Sequence, residues 1–387
     1  MGHNYKQVAK TLFGFEEILA NELRDLGALN VKQHVRMVSY EGDTGMLYKA
    51  NLACRTAIKI LKPIHSFTTR HEKRFYNSIY KMDWSQYLDN DKTFAIDATV
   101  HSDYFNHSKY VALKAKDAIV DQFRDNTGDR PNIDTNDPDL RINIHIQQDK
   151  CTVSLDSSGH SLHRRGYRKH VGSAPINEVL AAGLLLQSGW RGQCDFLDPM
   201  TGSATIPIEA AMIACNIPAN INRDFFTFKK WSDWDEELFN TIRNAMLKKT
   251  RDCAFSIRGF EVNPKLADLA KENIAAAGLD EFVKIAKQDF FKSEKHEDTL
   301  LHIFFNPPYD ERIEIEETEA FYQDIGNTLK QHYAHTNAWL VTANLDALKS
   351  VGLRTSRRIP CYNGALEARL VKYEMYAGSR KKKNGND

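Results

Sequence analysis

The sequence predicts an α/β protein whose second half forms a mostly parallel, doubly wound sheet and whose front half is α+β. From about residue 175 onward, short apolar strands alternate with helices, which is the pattern of strands joined by helical crossovers. Upstream the order differs, because Ile142–Ile146 and Cys151–Asp156 are alternating strands separated only by a short polar turn. The length of 387 residues leaves room for two or three domains.

The front half is predicted to begin with helices and to end in that hairpin. Phe15, Leu19 and Leu23 recur at helical spacing and Gly27 is a good helix stop, so we expect a helix and then a short strand between residues 9 and 38. The other elements expected before the hairpin are a helix from about Gly45 to Leu61, a half-buried strand over Phe94–Val100 and a helix from about Lys109 to Phe123.

The second half is predicted to alternate between strands and helices. Its strands are expected over Cys194–Asp198, Ala254–Glu261, Val283–Ala286, Leu300–Phe305 and Ala338–Thr342. Its helices are expected over Ile176–Leu186, Gly202–Cys215 and Lys265–Ala277. The Phe- and Trp-rich segment from Asn222 to Leu247 is interpreted as an insertion outside the sheet, and residues 379–387 as a disordered basic tail.

Composition argues against several classes of protein. Lys plus Arg (52 residues) nearly balances Asp plus Glu (51), so any nucleic-acid contact must come from a local basic patch. The six cysteines form no Cys-x-x-Cys pair and the histidines lack metal-ligand spacing, so we expect reduced thiols and no metal. With no long apolar run and no signal-peptide pattern, the chain is expected to be cytoplasmic and to have no membrane partner.

The most informative stretch is an apolar strand that stops abruptly at Asn306-Pro307-Pro308-Tyr309. Two prolines fix φ and donate no N–H, so the chain leaves the sheet in a stiff shape, at the edge where open α/β sheets bind ligands. The Asn306 side-chain carbonyl and the Pro307 backbone carbonyl are acceptors suited to an exocyclic amino group, and an extruded base can stack on Tyr309. A plain surface turn is the alternative, since Pro-Pro often follows a strand.

Three other predicted strand ends carry acids. Asp198 precedes a loop of small residues, Glu261 ends the second strand and Asp289 follows the third. A carboxylate in the second position suits two ribose hydroxyls, and one in the third can accept from an adenine amino group. Because no G-x-G-x-x-G phosphate loop is present, the pattern favours a nucleoside without phosphates, a description that S-adenosylmethionine fits. Taken singly, each acid is more often a helix cap or a surface charge.

Four segments together resemble the RlmL-type bacterial family of 23S rRNA guanine-N2 methyltransferases. They are Asp198–Ala211, Phe305–Arg312, Gly166–Arg168 with Ala174–Glu178, and Tyr362–Glu367. The resemblance covers nearly the whole chain. It implies a ferredoxin-like part (1–44), a THUMP RNA-binding domain (45–155), a linker (156–174) and a Rossmann-like class I methyltransferase domain that uses S-adenosylmethionine (175–378).

The site residues follow from these motifs and from the resemblance. Those expected to be catalytic are Asn306, Pro307, Pro308 and Tyr309. Those expected to bind S-adenosylmethionine are Asp198, Pro199, Met200, Thr201, Gly202, Ser203, Thr205, Glu261, Asp289 and Asn306. The chain departs from the family pattern in two places, since Ala204 replaces the second glycine of the loop and Asp310 replaces a glycine after the motif. Long family members carry a second methyltransferase module, and this chain is expected to be a single-module member.

Two basic stretches are candidates for RNA contact. The first interleaves Arg70, Lys73, Arg74 and Lys81 with Phe67, Phe75, Tyr76 and Tyr80, a mixture that suits phosphate contacts and base stacking. Its alternative is an ordinary charged surface over core aromatics. The second, Arg164–His170, either touches the RNA backbone or, as the resemblance implies, forms the connection that closes over the cofactor.

The expected function is therefore methylation of a guanine N2 amino group in 23S rRNA, with RNA as the partner and the oligomeric state open. Three alternatives remain. They are guanine-N2 methylation of tRNA by a THUMP enzyme, N6-adenine methylation of DNA, and a non-catalytic RNA-binding assembly factor. The motif serves guanine and adenine amines alike, so the sequence alone does not identify the nucleotide.

Overall fold

The computed structural model describes residues 3–168, 176–295, 299–308 and 315–376. The chain forms two compact units, neither of which is continuous in sequence. The first unit comprises residues 1–12, 19–162 and 223–245, and the second comprises residues 13–18, 163–222 and 246–387. The boundary between residues 162 and 163 falls in the predicted linker, while the other predicted domain boundaries stay predictions. Among the described residues, no helix is long and apolar enough to cross a membrane.

The described residues form the following strands and helices. The strands are β1 (Tyr5–Thr11), β2 (Leu29–His34), β3 (Met37–Gly42), β4 (Ala57–Thr68), β5 (Thr93–His101), β6 (Asn132–Ile133), β7 (Leu140–Gln147), β8 (Lys150–Asp156), β9 (Asp195–Asp198), β10 (Ile257–Phe260), β11 (Val283–Ala286), β12 (Leu301–Phe305), β13 (Thr336–Thr342), β14 (Arg357–Asn363) and β15 (Leu366–Met375). The helices are α1 (Glu16–Asp25), α2 (Thr44–Ala53), α3 (Glu72–Tyr80), α4 (Ser108–Thr127), α5 (Glu178–Gln187), α6 (Thr205–Ala214), α7 (Glu236–Leu247), α8 (Pro264–Ala276) and α9 (Ile315–His332).

The first unit is built on a single sheet, which in the described residues has eight strands in the order β2-β3-β1-β4-β8-β7-β5-β6. The predicted hairpin is present as β7 and β8, with Ile146 opposite Cys151. Strand β5 is parallel to β7, as the intervening α4 crossover requires. One face of these strands packs on α3 and α4 through a core that includes Phe75, Ile119 and Ile144. The front half is therefore α+β, as predicted.

One front-half element was predicted wrongly. The helix expected from Gly45 to Leu61 ends at Ala53, where Cys54 turns the backbone into an extended conformation. The following residues form β4, which pairs with β1 on one side and β8 on the other. β-Branched Ile60 and the later Pro63 favour the extended chain, and pairing on both edges outweighs the helical spacing of the apolar residues. Strand β1, which lies beside it, was not predicted.

The second unit confirms the predicted fold class. Its sheet, over the described residues, has the order β11-β10-β9-β12-β13-β15-β14. The first five strands in that order are parallel neighbours, while β15 is antiparallel to both β13 and β14. Helix α9 covers one face with Ile325 and Leu329, which pack with Ile303 and Leu340 of the central strands. The carboxyl ends of β9, β10 and β12 consequently lie side by side at one edge.

The Phe- and Trp-rich segment predicted as an insertion belongs to the first unit over residues 223–245. The ring of Tyr48 on α2 lies 4.8 Å from that of Phe228, 5.3 Å from Trp234 and 5.8 Å from Phe239. The Asp235 N–H donates to the Tyr48 hydroxyl at 3.1 Å. These contacts pack the segment against α2 of the first unit.

Candidate active site

A cavity of about 580 Å³ opens at the carboxyl edge of the second sheet. It is lined by nine of the residues predicted to bind the cofactor, namely Pro199, Met200, Thr201, Gly202, Ser203, Thr205, Glu261, Asp289 and Asn306. Its apolar walls, which the sequence analysis missed, are Ile176, Ile206, Phe260, Val262, Leu266, Phe290, Phe291 and Phe321. Among the described residues no lysine or arginine lines the cavity. The described part of its lining therefore offers apolar surface, carboxylates and an amide, and no cationic side chain.

The loop between β9 and α6 is held against β10 by backbone hydrogen bonds. Thr201 N donates to Phe260 O at 2.9 Å, and Gly202 N donates to Glu261 Oε2 at 2.9 Å. Gly259 of β10 permits this approach, because a Cβ at that position would lie 2.9 Å from Thr201 Oγ1. A glycine in β10 thus permits the close approach of the loop to this strand, while a close approach of the loop to a ligand stays a prediction.

Ala204 is the N-cap residue of α6 and lies in the left-handed region, with φ +66° and ψ +23°. Glycine adopts this conformation freely, whereas a residue with a Cβ bears a cost of about 1–2 kcal/mol. Ala204 therefore has a strained backbone conformation that the family's glycine would adopt without strain. Ala204 also provides no side-chain cap, so the positive end of α6 has no capping side chain.

Glu261 and Asp289 each hold backbone as well as line the cavity. Glu261 Oε2 accepts from Gly202 N and its Oε1 accepts from Asn263 N, both at 2.9 Å. Asp289 Oδ1 accepts from Phe291 N at 3.0 Å, and its Oδ2 lies 3.6 Å from Lys292 Nζ. Asp289 thus caps the short helical turn over residues 290–292, whereas the N-cap residue of α8 after Glu261 is Asn263. A carboxylate oxygen has a second lone pair, so each acid can also accept from a ligand.

Asp198 ends β9 and is fully buried, so it supports the loop without lining the cavity. Its Oδ1 accepts from Met200 N at 3.1 Å. The Thr201 side chain hydrogen-bonds the same carboxylate. Burial raises the pKa of Asp198 to about 8, the Glu261 carboxylate adds to the rise, and the Met200 N–H opposes it. Asp198 therefore fixes the loop from inside the protein.

The predicted catalytic turn follows β12 directly. Phe305 is opposite Leu340 of β13, and Asn306, Pro307 and Pro308 then form part of the cavity wall. Asn306 is half-buried, while Pro308 is exposed. Tyr309 and Asp310, the expected stacking residue and the extra charge after it, lie outside the described residues. The structure thus brings the amide and both prolines to the cavity that holds the predicted cofactor residues.

The basic stretch that begins at Arg164 contains a buried arginine. Arg165 is 1% exposed, and it donates to Glu209 Oε1 at 3.3 Å and to Asn220 Oδ1 at 3.2 Å. The Tyr167 hydroxyl donates to the same Glu209 oxygen at 3.1 Å. A buried guanidinium that is paired in this way binds the protein itself, so Arg165 is not a contact for RNA phosphates.

Arg168 has a similar structural role closer to the cavity. Its Nε donates to Glu178 Oε1 of α5 at 3.0 Å, and its Nη2 donates to Thr205 Oγ1 of α6 at 2.8 Å. Burial raises the pKa of Glu178, and the charge of Arg168 opposes the rise. Because Thr205 lines the cavity, this ion pair fixes the first turn of α6 beside the loop. Residues 169–175 of the same connection lie outside the described residues.

The four basic residues predicted to contact RNA are exposed in the first unit. Arg70, Lys73 and Arg74 lie at the start of α3 or just before it, and Lys81 is its C-cap. Arg70 is bonded to Asp149 at 3.1 Å. The four residues are thus available to a partner, and their contact with RNA stays a prediction.

The aromatic residues predicted to stack beside them are less available. Phe75 is 1% exposed and belongs to the core. The hydroxyls of Tyr76 and Tyr80 donate to Asp121 and Asp125 of α4, both at 2.7 Å. The structure therefore favours the alternative interpretation, in which these rings pack in the core or between helices. No group of three or more His, Cys, Asp or Glu that could hold a metal occurs in the described ranges.

A doubly wound sheet with one antiparallel hairpin and an acid-lined cavity at its carboxyl edge defines the class, a Rossmann-like methyltransferase domain. Residues 165–372 match the model of the RMKL-like methyltransferase domain, residues 69–156 match the THUMP domain, and residues 6–61 match the RlmL ferredoxin-like domain. The chain therefore belongs to the RMKL-like methyltransferase family. The resemblance drawn from its motifs is confirmed.

Individual relatives agree with this assignment. The Synechocystis sp. protein slr0064, provisionally named as an RNA methyltransferase, is 38% identical over 367 residues, which are 94% of this chain and 95% of that protein. Ribosomal RNA large subunit methyltransferase K/L of Syntrophotalea carbinolica is 35% identical over 375 residues, 94% of this chain and 52% of that protein. This chain spans about half the length of the K/L relatives it matches. The crystal structure of SMU.472, provisionally described as a methyltransferase and complexed with SAH, matches with a TM-score of 0.85 at 27% identity, covering 98% of this chain and 100% of that one.

Proposed function

We propose that this protein uses S-adenosylmethionine to methylate the exocyclic N2 amino group of a guanine in 23S rRNA. The observation that carries the proposal is the cavity, which brings Glu261 and Asp289 to the same space as the Asn306 turn. The match to a THUMP domain and the names of the K/L relatives support large-subunit ribosomal RNA as the substrate. The Arg165 and Arg168 ion pairs support a cofactor-side role for the connection between the domains.

The residues of the cavity fit S-adenosylmethionine. A carboxylate-lined space without a lysine or arginine among its described residues favours a ligand that carries positive charge and no phosphate. In this assignment Glu261 accepts from the ribose hydroxyls and Asp289 from the adenine amino group. Thr201, Gly202 and Ser203 of the loop line the space that would hold the methionine part. The SAH complex of SMU.472 supports the same ligand class. When bound, the cofactor supplies an electrophilic methyl group on a sulfonium.

The chain's own contribution at the target is to hold the amine. The lone pair of a guanine N2 is delocalised into the ring, so the nitrogen is a weak nucleophile while it stays planar. Asn306 Oδ1 and Pro307 O can accept its two hydrogens and hold the nitrogen in a more tetrahedral geometry that faces the cavity. Acceleration then comes from proximity and preorganised acceptors rather than from a strong base. The base must be unpaired or flipped out, and Tyr309 is proposed to replace its lost stacking.

Mass spectrometry of nucleosides tests this proposal. Large-subunit rRNA from a strain that lacks the gene is incubated with the protein and S-adenosylmethionine, then digested. N2-methylguanosine in 23S rRNA is the expected product. If the same nucleoside formed only in tRNA, tRNA would be the substrate instead. N6-methyladenine in DNA would contradict the proposal. Cofactor binding without any product would favour the non-catalytic assembly factor.

A further inference from the structure

A second cavity, of about 510 Å³, opens on the surface of the first unit. It lies between the loop after β5, the first turns of α4 and the start of α3. Its lining residues, here called the α4 groove, are Glu72, Tyr104, Phe105, Asn106, His107, Lys109, Tyr110, Val111 and Leu113. Tyr104 is 46% exposed and Tyr110 is 42% exposed. Both rings thus keep part of their surface open to solvent, and the volume of the groove is within the range of small-ligand sites.

Cations accompany both exposed rings. The Arg70 guanidinium lies 5.3 Å from the centroid of the Tyr104 ring, and Lys114 Nζ lies 6.0 Å from that of Tyr110. Lys109 lines the groove itself. Aromatic faces combined with arginine and lysine are the elements with which proteins hold the bases and the backbone of single-stranded nucleic acid.

The electrostatics of the α4 groove also favour an anionic chain. Helix α4 has 20 residues, no acid in its first turn and no side-chain hydrogen bond from its N-cap residue His107. Its positive end therefore adds to the charge of Lys109. Two acids lie nearby: Glu72 accepts from the Tyr110 hydroxyl at 2.8 Å and holds that ring in place, and Asp149 pairs with Arg70, so the net positive charge of the groove comes from Lys109, Lys114 and the helix end. The positive end of α4 can thus bind a phosphate, and the two tyrosine rings can stack on a base.

We propose that the α4 groove binds an unpaired segment of the RNA substrate, with bases stacked on Tyr104 and Tyr110. The inference rests on the proposed function, since it takes RNA to be the substrate. Arg70, already predicted from the sequence, acts together with the Tyr104 ring, and Lys109 with Lys114 contacts phosphates. A duplex hides its base faces, so this groove selects a loop, bulge or single strand of the RNA.

Binding measurements on the full chain test the groove. Fluorescence anisotropy is followed with a fluorescein-labelled oligoadenylate and, separately, with a blunt RNA duplex. Tyr104→Ala and Tyr110→Ala are each expected to weaken oligoadenylate binding about tenfold, the usual effect of removing one stacking ring. Tyr104→Phe and Tyr110→Phe keep the ring and should stay within about threefold of the wild type. Phe255→Ala removes a ring of the second unit that is 40% exposed and serves as the matched control.

Each outcome decides one question. If the two alanine variants melt like the wild type and bind the oligoadenylate equally well, the groove proposal is wrong while N2-methylguanosine formation can still stand. Loss of binding in the phenylalanine variants, or an equal loss for the duplex, also contradicts stacking of unpaired bases. Wild-type protein that binds neither RNA overturns the groove and the RNA substrate together. An oligoadenylate loss confined to the alanine variants supports the groove.

Discussion

Replacing Glu261 by alanine is the sharpest test of the proposed cofactor site. The side chain is 9% exposed, lines the cavity and accepts two backbone N–H groups, from Gly202 and Asn263. It is therefore held in one orientation before any ligand arrives. In the proposed role it also accepts from the two ribose hydroxyls of the cofactor. The substitution removes both ligand bonds and loosens the loop at Gly202.

The magnitude follows from these contacts. A hydrogen bond to a charged group contributes about 1.5–3 kcal/mol, and a loss of two is rarely additive, so we expect the binding free energy to weaken by about 2–3 kcal/mol. That corresponds to a loss of affinity of roughly 30- to 150-fold. Gly202 lines the open cavity and Asn263 is exposed, so water can reach the freed N–H groups and stability should fall by only about 1 kcal/mol.

Isothermal titration calorimetry with S-adenosylhomocysteine measures the effect. Glu261→Gln keeps one carbonyl acceptor and should fall between the wild type and the alanine variant. Asp268→Ala removes a carboxylate of α8 whose side chain is 63% exposed, and it should leave affinity unchanged. An affinity of Glu261→Ala within twofold of the wild type, in a protein that still melts cooperatively, would refute the ribose assignment.

Three other changes have defined outcomes. Asn306→Ala should lower the single-turnover methylation rate by about a hundredfold and leave S-adenosylhomocysteine affinity intact. Asn306→Asp keeps the acceptor and should recover part of the rate. An unchanged rate in Asn306→Ala would exclude the amine-acceptor role. Because the pKa of folded Asp198 is about 8, well above its ordinary value, the ligand-free protein binds this proton more tightly than the unfolded chain does. Its free energy of unfolding should fall as pH rises from about 4 to about 8, and Asp198→Asn should flatten that slope in urea titrations; an equal slope in both would contradict the shift. Glu209→Ala leaves Arg165 buried without its carboxylate and should lower the free energy of unfolding by about 3–5 kcal/mol. The exposed control Asp268→Ala should lower it by less than about 1 kcal/mol. Equal losses in the two variants would mean that the Arg165–Glu209 pair does not stabilise the fold.

The site could be predicted from the sequence where its chemistry depends on local chain features. The acids at strand ends and the Asn306 turn are short motifs, and parallel strands bring such ends to one edge of a sheet. The apolar walls could not be predicted in this way. Phe291 comes from a short turn after Asp289 and Phe321 from α9, so only the tertiary fold places them at the cavity.

In the first unit, the sequence pattern predicted the secondary structure and the exposed rings less well. The residues of β4 have apolar spacing that also fits a helix, and only pairing with β1 and β8 selects the strand. For the aromatic residues, Phe75 and Tyr76 looked like a stacking surface because they stand among basic residues. The exposed rings are instead Tyr104 and Tyr110, which the sequence places at the turn into α4 and its first turn. Exposure depends on which helix face packs, and that is not a local property.

Because neither unit is continuous in sequence, substrate recognition is better tested with point variants than with a truncated chain. The chain crosses between the units at residues 12–13, 18–19, 162–163, 222–223 and 245–246. A fragment that begins after residue 162 would keep the cavity, but its residues 223–245 would lose Tyr48, on which Phe228, Trp234 and Phe239 pack. Those exposed rings would promote aggregation, and a loss of methylation in the fragment would then say nothing about RNA binding. Point variants in the full chain avoid this, because the α4 groove can be altered at exposed tyrosines while both cores stay intact.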